Sequence, residues 1–183
     1  MMKKIFPAIV LPLILALAVP SLGCGTKSSY QPTPYMEALN PAGGFRIDQV
    51  NDNSGYKFSG RGFDIKEAMT EAFMDELTKN GLANDGGLYA VNINILAYVP
   101  GNAFARWLLP GAGATKLYIE ALILDQNYFQ VAKIPVYRHI GAGGALTIGA
   151  HRYAFEDVAR TLVRILKDPS KRVADKSNLT LGF

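Results

Sequence analysis

From Phe45 the chain alternates, with Phe45, Ile47 and Gln49 set against Arg46, Asp48 and Val50, which predicts a short strand with one mostly apolar face. A polar stretch over 51–62 follows, and the period then lengthens to that of a helix. Ile65, Ala68, Met69, Ala72, Phe73 and Leu77 fall on one stripe, with Lys66, Glu67, Thr70, Glu71, Asp75 and Thr78 opposite. Asp64 stands three places before Glu67, the spacing at which each side chain can satisfy an exposed amide at a helix start, and Asn80-Gly81 supplies the stop. Period two then returns three times with no helix between. Tyr89, Val91, Ile93, Ile95, Ala97 and Val99 make one face of the second strand, and Leu117, Ile119, Ala121 and Ile123 one face of the third. The tight connection Asp125-Gln126-Asn127 makes the fourth strand, 128–138, antiparallel to the third. Pro135 lacks the amide that a central strand would use, which assigns that strand to an edge or a bulge. A last helix over 153–167 buries Phe155, Val158, Ala159, Leu162 and Leu166 and ends before Pro169.

The order βαβββα predicts an α+β fold, an antiparallel-rich four-stranded sheet with two helices, over 45–168. Leu88, Ala90, Leu96 and Tyr98 alternate onto the sheet's second face, joined by Leu122 and Leu124. That is more apolar area than a one-sided sheet usually exposes, although Asn92, Asn94, Lys116 and Glu120 interrupt it. A homodimer or a docked tether is expected to cover it.

Upstream of the domain, Lys3 and Lys4 precede an uncharged run from Ile5 to Val19 that carries Pro7 and Pro12 and ends at Ser21-Leu22-Gly23-Cys24. The run is shorter than the roughly 20 residues that span a bilayer, so residues 1–23 read as a signal peptide. Cys24 is the single cysteine of the chain, which excludes an intramolecular disulfide or a cysteine-cluster metal site. The alternative is cleavage after Ala16-Leu17-Ala18, which would leave an odd free thiol in an oxidising compartment. The segment resembles the leader of bacterial lipoproteins, in which the cysteine is the lipid-modified first mature residue. That resemblance implies lipid attachment at Cys24 and, because Gly25 is not the aspartate that retains such proteins at the inner membrane, an anchor on the periplasmic face of the outer membrane. Residues 24–44, rich in Pro, Ser and Gly, form the tether, with a reach on the order of 40 to 60 Å. Residues 169–183 form a C-terminal tail.

Charge narrows the partners. The formal +4 includes Lys3 and Lys4, and what remains after their loss is too small to indicate nucleic acid. Lys167, Lys171, Arg172 and Lys176 gather near the C-terminus, as a solvated helix end does, or as a contact with anionic lipid would. Catalytic and cofactor motifs are absent from the pattern. The loop Gly141-Ala142-Gly143-Gly144 lacks the third glycine of a dinucleotide loop because Leu146 stands there, and Gly111-Ala112-Gly113-Ala114-Thr115-Lys116 lacks the glycine before the lysine of a triphosphate loop. His139 and His151, the only histidines, have no carboxylate partner identifiable in sequence, so no metal, no cofactor and no enzymatic activity are expected.

Between two strands lies Gly101-Asn102-Ala103-Phe104-Ala105-Arg106-Trp107-Leu108-Leu109-Pro110-Gly111-Ala112-Gly113, and a second glycine-rich loop over 141–149 precedes the last helix. A strand running into Gly-x-x-x-x-Arg, a Gly-x-Gly turn and another strand resembles the bacterial lipoproteins of domain-of-unknown-function family 4410, over roughly 64–166. The resemblance implies a cell-envelope α+β domain and no established activity. If the first helix carries the chain back across the sheet, the loops 51–62, 100–114 and 139–152 share one pole, and binding surfaces concentrate on loops held by a rigid scaffold. Phe104, Arg106, Trp107, Leu108 and Leu109 are the candidate partner-binding residues there. They either fold over the open end of the core or contact an envelope protein. A carrier or sensor of a small apolar ligand is the competing function.

Overall fold

In a computed structural model, which describes residues 39–57, 63–102, 104, 105, 113–140 and 150–168, the chain forms one four-stranded mixed sheet with two helices. The order is β1 (Phe45–Asp52), α1 (Ile65–Lys79), β2 (Tyr89–Val99), β3 (Thr115–Leu124), β4 (Gln130–Ile140) and α2 (Ala150–Lys167), the expected βαβββα arrangement. Strands lie in sequence order across the sheet, β1 parallel to β2 and the remaining pairs antiparallel. Both helices pack on one face and against each other, α1 over β1 and α2 over β3 and β4.

The caps of α1 follow from its terminal residues. The Asp64 carboxylate accepts from the amides of Lys66 and Glu67, at 2.7 and 3.3 Å, donors that the first turn cannot otherwise satisfy. At the other end Gly81, at φ 68°, adopts the left-handed conformation that closes a Schellman turn. There Leu82 N–H donates to Leu77 O at 2.9 Å and Gly81 N–H to Thr78 O at 3.0 Å. The turn drops Leu82 into the core and leads to Phe45, whose amide donates to Leu82 O at 2.8 Å.

The apolar stripe of α1 is buried as the spacing predicts, at Ile65, Met69, Ala72, Phe73 and Leu77. From α2 come Phe155, Val158, Ala159, Leu162 and Leu166, and from the sheet Val91, Ile93, Ile95, Leu117, Ile119, Ile123, Ile134 and Val136. Helix α2 starts at Ala150, three residues before the expected 153, and it also buries Ala154, Val163 and Ile165. β4 starts at Gln130, not at 128, because 128 and 129 belong to the turn.

Two expectations about strand faces fail, each at a bulge. In β1 the register slips between Ile47 and Gln49, so Val50, and not Gln49, packs against the core. In β2 it slips between Ile95 and Ala97. A single inserted residue reverses the facing of all that follow it. Tyr98 therefore turns inward, 6 % exposed, while Val99 is 43 % exposed, the reverse of the alternation read from sequence.

The second sheet face keeps Leu96, Tyr118, Leu122 and Leu124 half-buried, with Ala90 wholly buried beneath its neighbours. Lys133 meets Glu120 across it at 2.6 Å, and Asn51 donates to Asn94 Oδ1 at 3.2 Å. β4 is an edge strand, where Pro135 breaks the row of donors that another strand would need. No helix among the described residues is long and apolar enough to cross a membrane.

Among the described residues one charged side chain enters the core. Arg138, on the inward face of β4, is 3 % exposed, with Nε 3.2 Å from Asp157 Oδ2 of α2 and its guanidinium 5.7 Å from the Tyr153 ring centroid. Asp157 also faces Arg160 at 3.6 Å, and Arg160 reaches Glu76 of α1 at 4.0 Å. The ion chain joins β4 to α2 and α2 to α1.

Candidate functional site

The pairing puts the ends of β1, β2 and β4 and the start of β3 at one end of the sheet, so the three loops expected to share a pole leave from and return to that end. Arg106, Trp107, Leu108 and Leu109, and the glycine-rich segment 141–149, lie outside the described residues, as do Cys24 and the tail after 168. Phe104 is described, and it is 69 % exposed.

Its mount is built from backbone. Gly101 N–H donates to the buried Thr115 hydroxyl at 3.1 Å and Asn102 N–H to Gly113 O at 2.9 Å, which holds the loop's two ends together. Asn102 Oδ1 then accepts from Ala105 N–H at 3.1 Å, so its side chain caps the helical turn that carries Phe104.

Below the loops lies a cluster of aromatic rings. Phe155 and Tyr98 stack obliquely with centroids 5.4 Å apart, Tyr56 meets Tyr98 edge-on at 4.9 Å, and Phe63 lies 5.9 Å from Phe155. The inward Tyr98 is what completes this floor, and sequence alternation hid it by placing it on the opposite face. Phe63, directly before the Asp64 cap, was the available signal, because an apolar residue just ahead of a helix cap commonly packs back onto its own core.

Burial, with Tyr56 beside it, pushes the Tyr98 phenol up to about 12. Its neutral form is the one the fold prefers, and an unfolded phenol ionises near pH 10. Stability from this group is thus full below pH 10 and is lost as pH climbs from 10 to 12. Denaturant midpoints measured across that window should fall in the parent chain and fall less steeply in Tyr98→Phe. Equal slopes would refute the assignment.

Alongside the floor runs a groove of about 410 Å³ between α1 and the start of α2, lined by Phe63, Ala68 and Ala72 below and by Asp64, Glu67, Glu71, Asp75 and Glu156 above. Arg152 is its one cation among the described residues, 3.5 Å from Glu156. His139 sits in β4, half-buried, where burial and then the charges of Lys116 and Arg138 hold its imidazole below the ordinary range. The side chain of His151 lies outside the described residues, and among those described no group of three or more His, Cys, Asp or Glu could hold a metal ion.

The model of a domain of unknown function, DUF4410, matches residues 46–144, more than half of the chain. The chain belongs to that family. The DUF4410 match opens in β1, earlier than the residues that carried the resemblance, and closes after β4, so α2 lies beyond it. No curated protein matches the chain. Among solved structures it is similar to the PelC dodecamer from Paraburkholderia phytofirmans, at 12 % identity and a TM-score of 0.49, covering 75 % of this chain and 97 % of that one. It is also similar to protein XCC0632 from Xanthomonas campestris, of family DUF330, at 15 % identity and a TM-score of 0.44, covering 76 % and 93 %. A third is a minor lipoprotein from Acinetobacter baumannii, at 15 % identity and a TM-score of 0.36, covering 64 % and 91 %.

Proposed function

We propose that this DUF4410 chain is a lipid-anchored accessory protein of the cell envelope that holds a protein partner at its loop pole. The anchor is Cys24, on the periplasmic face of the outer membrane, and intact mass of the mature chain tests it. A mass without added lipid, or a chain starting at Val19, would remove the anchor.

The observation that carries the partner role is the 69 % exposure of Phe104, at the pole where Tyr98, Phe63 and Phe155 pack together. An exposed aromatic ring on a loop whose ends are pinned is preorganised for contact. Arg106 and Trp107, adjacent in the same loop, belong to the residue types that carry most interface energy. The carboxylates beside the groove favour a partner with a basic rim. They also count against the competing role as carrier of a small apolar ligand, which asks for an apolar lining.

Phe104→Ser should change unfolding free energy by less than about 1 kcal/mol, as exposed positions do. Trp107→Ala should behave likewise. Both should lower recovery of the partner from detergent-solubilised envelope. A loss of several kcal/mol with unchanged recovery would return the loop to a covering role. A second reading is self-association through the open sheet face, favoured by half-buried Leu96, Leu122 and Leu124.

A further inference from the structure

At the pole opposite the loops, the β3–β4 hairpin ends in two aromatic residues set into solvent, Tyr128 at 59 % and Phe129 at 70 % exposure. The turn that presents them is fully built. Asp125 Oδ1 accepts from Asn127 N–H at 2.8 Å and from Phe129 N–H at 2.9 Å, while Tyr128 N–H donates to Asp125 O at 3.0 Å and Asp125 N–H to Phe129 O at 2.9 Å. Tyr128 has φ 62°, the one positive φ at a non-glycine residue among those described. That position suits glycine or asparagine, and a bulky side chain there is strained. A strained aromatic left mostly exposed, beside a second one, contributes little to the core, and such outliers point toward function.

The location names the occupant. Residue 39, where the chain from Cys24 enters the fold, is at this same end. Leu39 is 7 % exposed and the Asn40 amide donates to the Tyr89 hydroxyl at 3.0 Å, beside the start of β1 and β2. Fourteen residues lie between Cys24 and Leu39, and a random coil of that length would have a root-mean-square span of about 20 Å, well inside the full reach of the tether. An anchored domain therefore presents this pole to the lipid. The helix C-termini bring Lys79 and Lys167 to it as well, Lys79 paired with Glu76 at 3.5 Å and Lys167 Nζ 3.3 Å from Asn80 Oδ1, so Lys167 is the cation there best placed to meet an anionic headgroup.

We infer that Tyr128 and Phe129 form a lipid-contacting tip that sits among the phospholipid headgroups of the bilayer holding Cys24. Amphipathic rings favour that depth, and one lipid anchor gains from a second apolar contact. The inference rests on the anchor proposed above.

The experiment uses the mature lipidated chain with Phe129→Cys, whose added thiol is the only one left free, carrying an environment-sensitive fluorophore. Reconstituted into vesicles of phosphatidylethanolamine and phosphatidylglycerol, the label should shift to shorter wavelength and be quenched at least twofold by nitroxide-bearing lipid. The same label at Val99→Cys, at the loop pole, should stay unquenched. Flotation of the vesicles reads the anchor separately. Protein that floats with an unquenched label at 129 overturns the tip while the anchor stands, and protein that does not float overturns both. A label already shielded in detergent, in a concentration-dependent manner, would make the tip a contact between copies and overturn the inference.

Discussion

Phe155→Ala should lower the unfolding free energy by about 3–5 kcal/mol, the range for a phenylalanine removed from a core that cannot collapse around the gap. Phe155 is wholly buried and has Tyr98 on one side and Phe63 on the other, so its loss opens the floor of the loop pole as well as the core of α2. The effect should not add to that of Phe63→Ala, because the second truncation enters a space already opened. Urea denaturation of the two single variants and the double variant gives the coupling directly. Strict additivity would mean that the floor is not a packed unit. Phe155→Leu should recover much of the loss, since it restores volume without the ring contacts.

Asp157→Asn is the other large effect, up to about 3–5 kcal/mol, because it removes the carboxylate that faces the Arg138 guanidinium in a site that is nearly closed to water. Arg138→Met should cost less. Asp157 would still face Arg160 at 3.6 Å and is itself partly open to solvent, and methionine can fill the volume of the arginine stem. The order of the two variants is the informative quantity, read from guanidinium chloride melts. If Arg138→Met were the worse, the stem's packing and the contact with Tyr153 would outweigh the charge pair.

Much of this fold was legible because its signals are local. Asp64 announced the start of α1 and Gly81 its end, since each acts within four residues of itself, and the stripe from Ile65 to Leu77 needed only the helical period. Pro135 limited β4 to an edge or a bulge by chemistry alone, and the sheet order made it an edge. The two bulges were not legible. A bulge is set by which residues pair across the ladder, and nothing in Ile47-Asp48-Gln49 or Ile95-Leu96-Ala97 announces a slip. That is why Tyr98 changed faces and why the aromatic floor was invisible. Arg138 and Asp157 were hidden for a related reason, since an inward arginine on a strand looks like an ordinary polar break until the helix that answers it is in place. For the candidate site, the pole followed from topology and the exposure of Phe104 did not. Period and spacing cannot say how much of a loop aromatic is left exposed.

The parallel pairing of β1 with β2 has a mechanical side. A domain held by its N-terminus and loaded by a partner at the far pole feels tension along the strand axis, entering at Phe45 and leaving near the ends of β1 and β2. Along that axis the β1–β2 ladder, seven residue pairs from Phe45↔Tyr89 to Asp52↔Ile95, is strained in shear, so its hydrogen bonds carry the load together. A hairpin pulled from its open end would yield them one by one. If the proposed anchor and partner hold the two ends, the first element to meet the tug between them is the one arranged in shear.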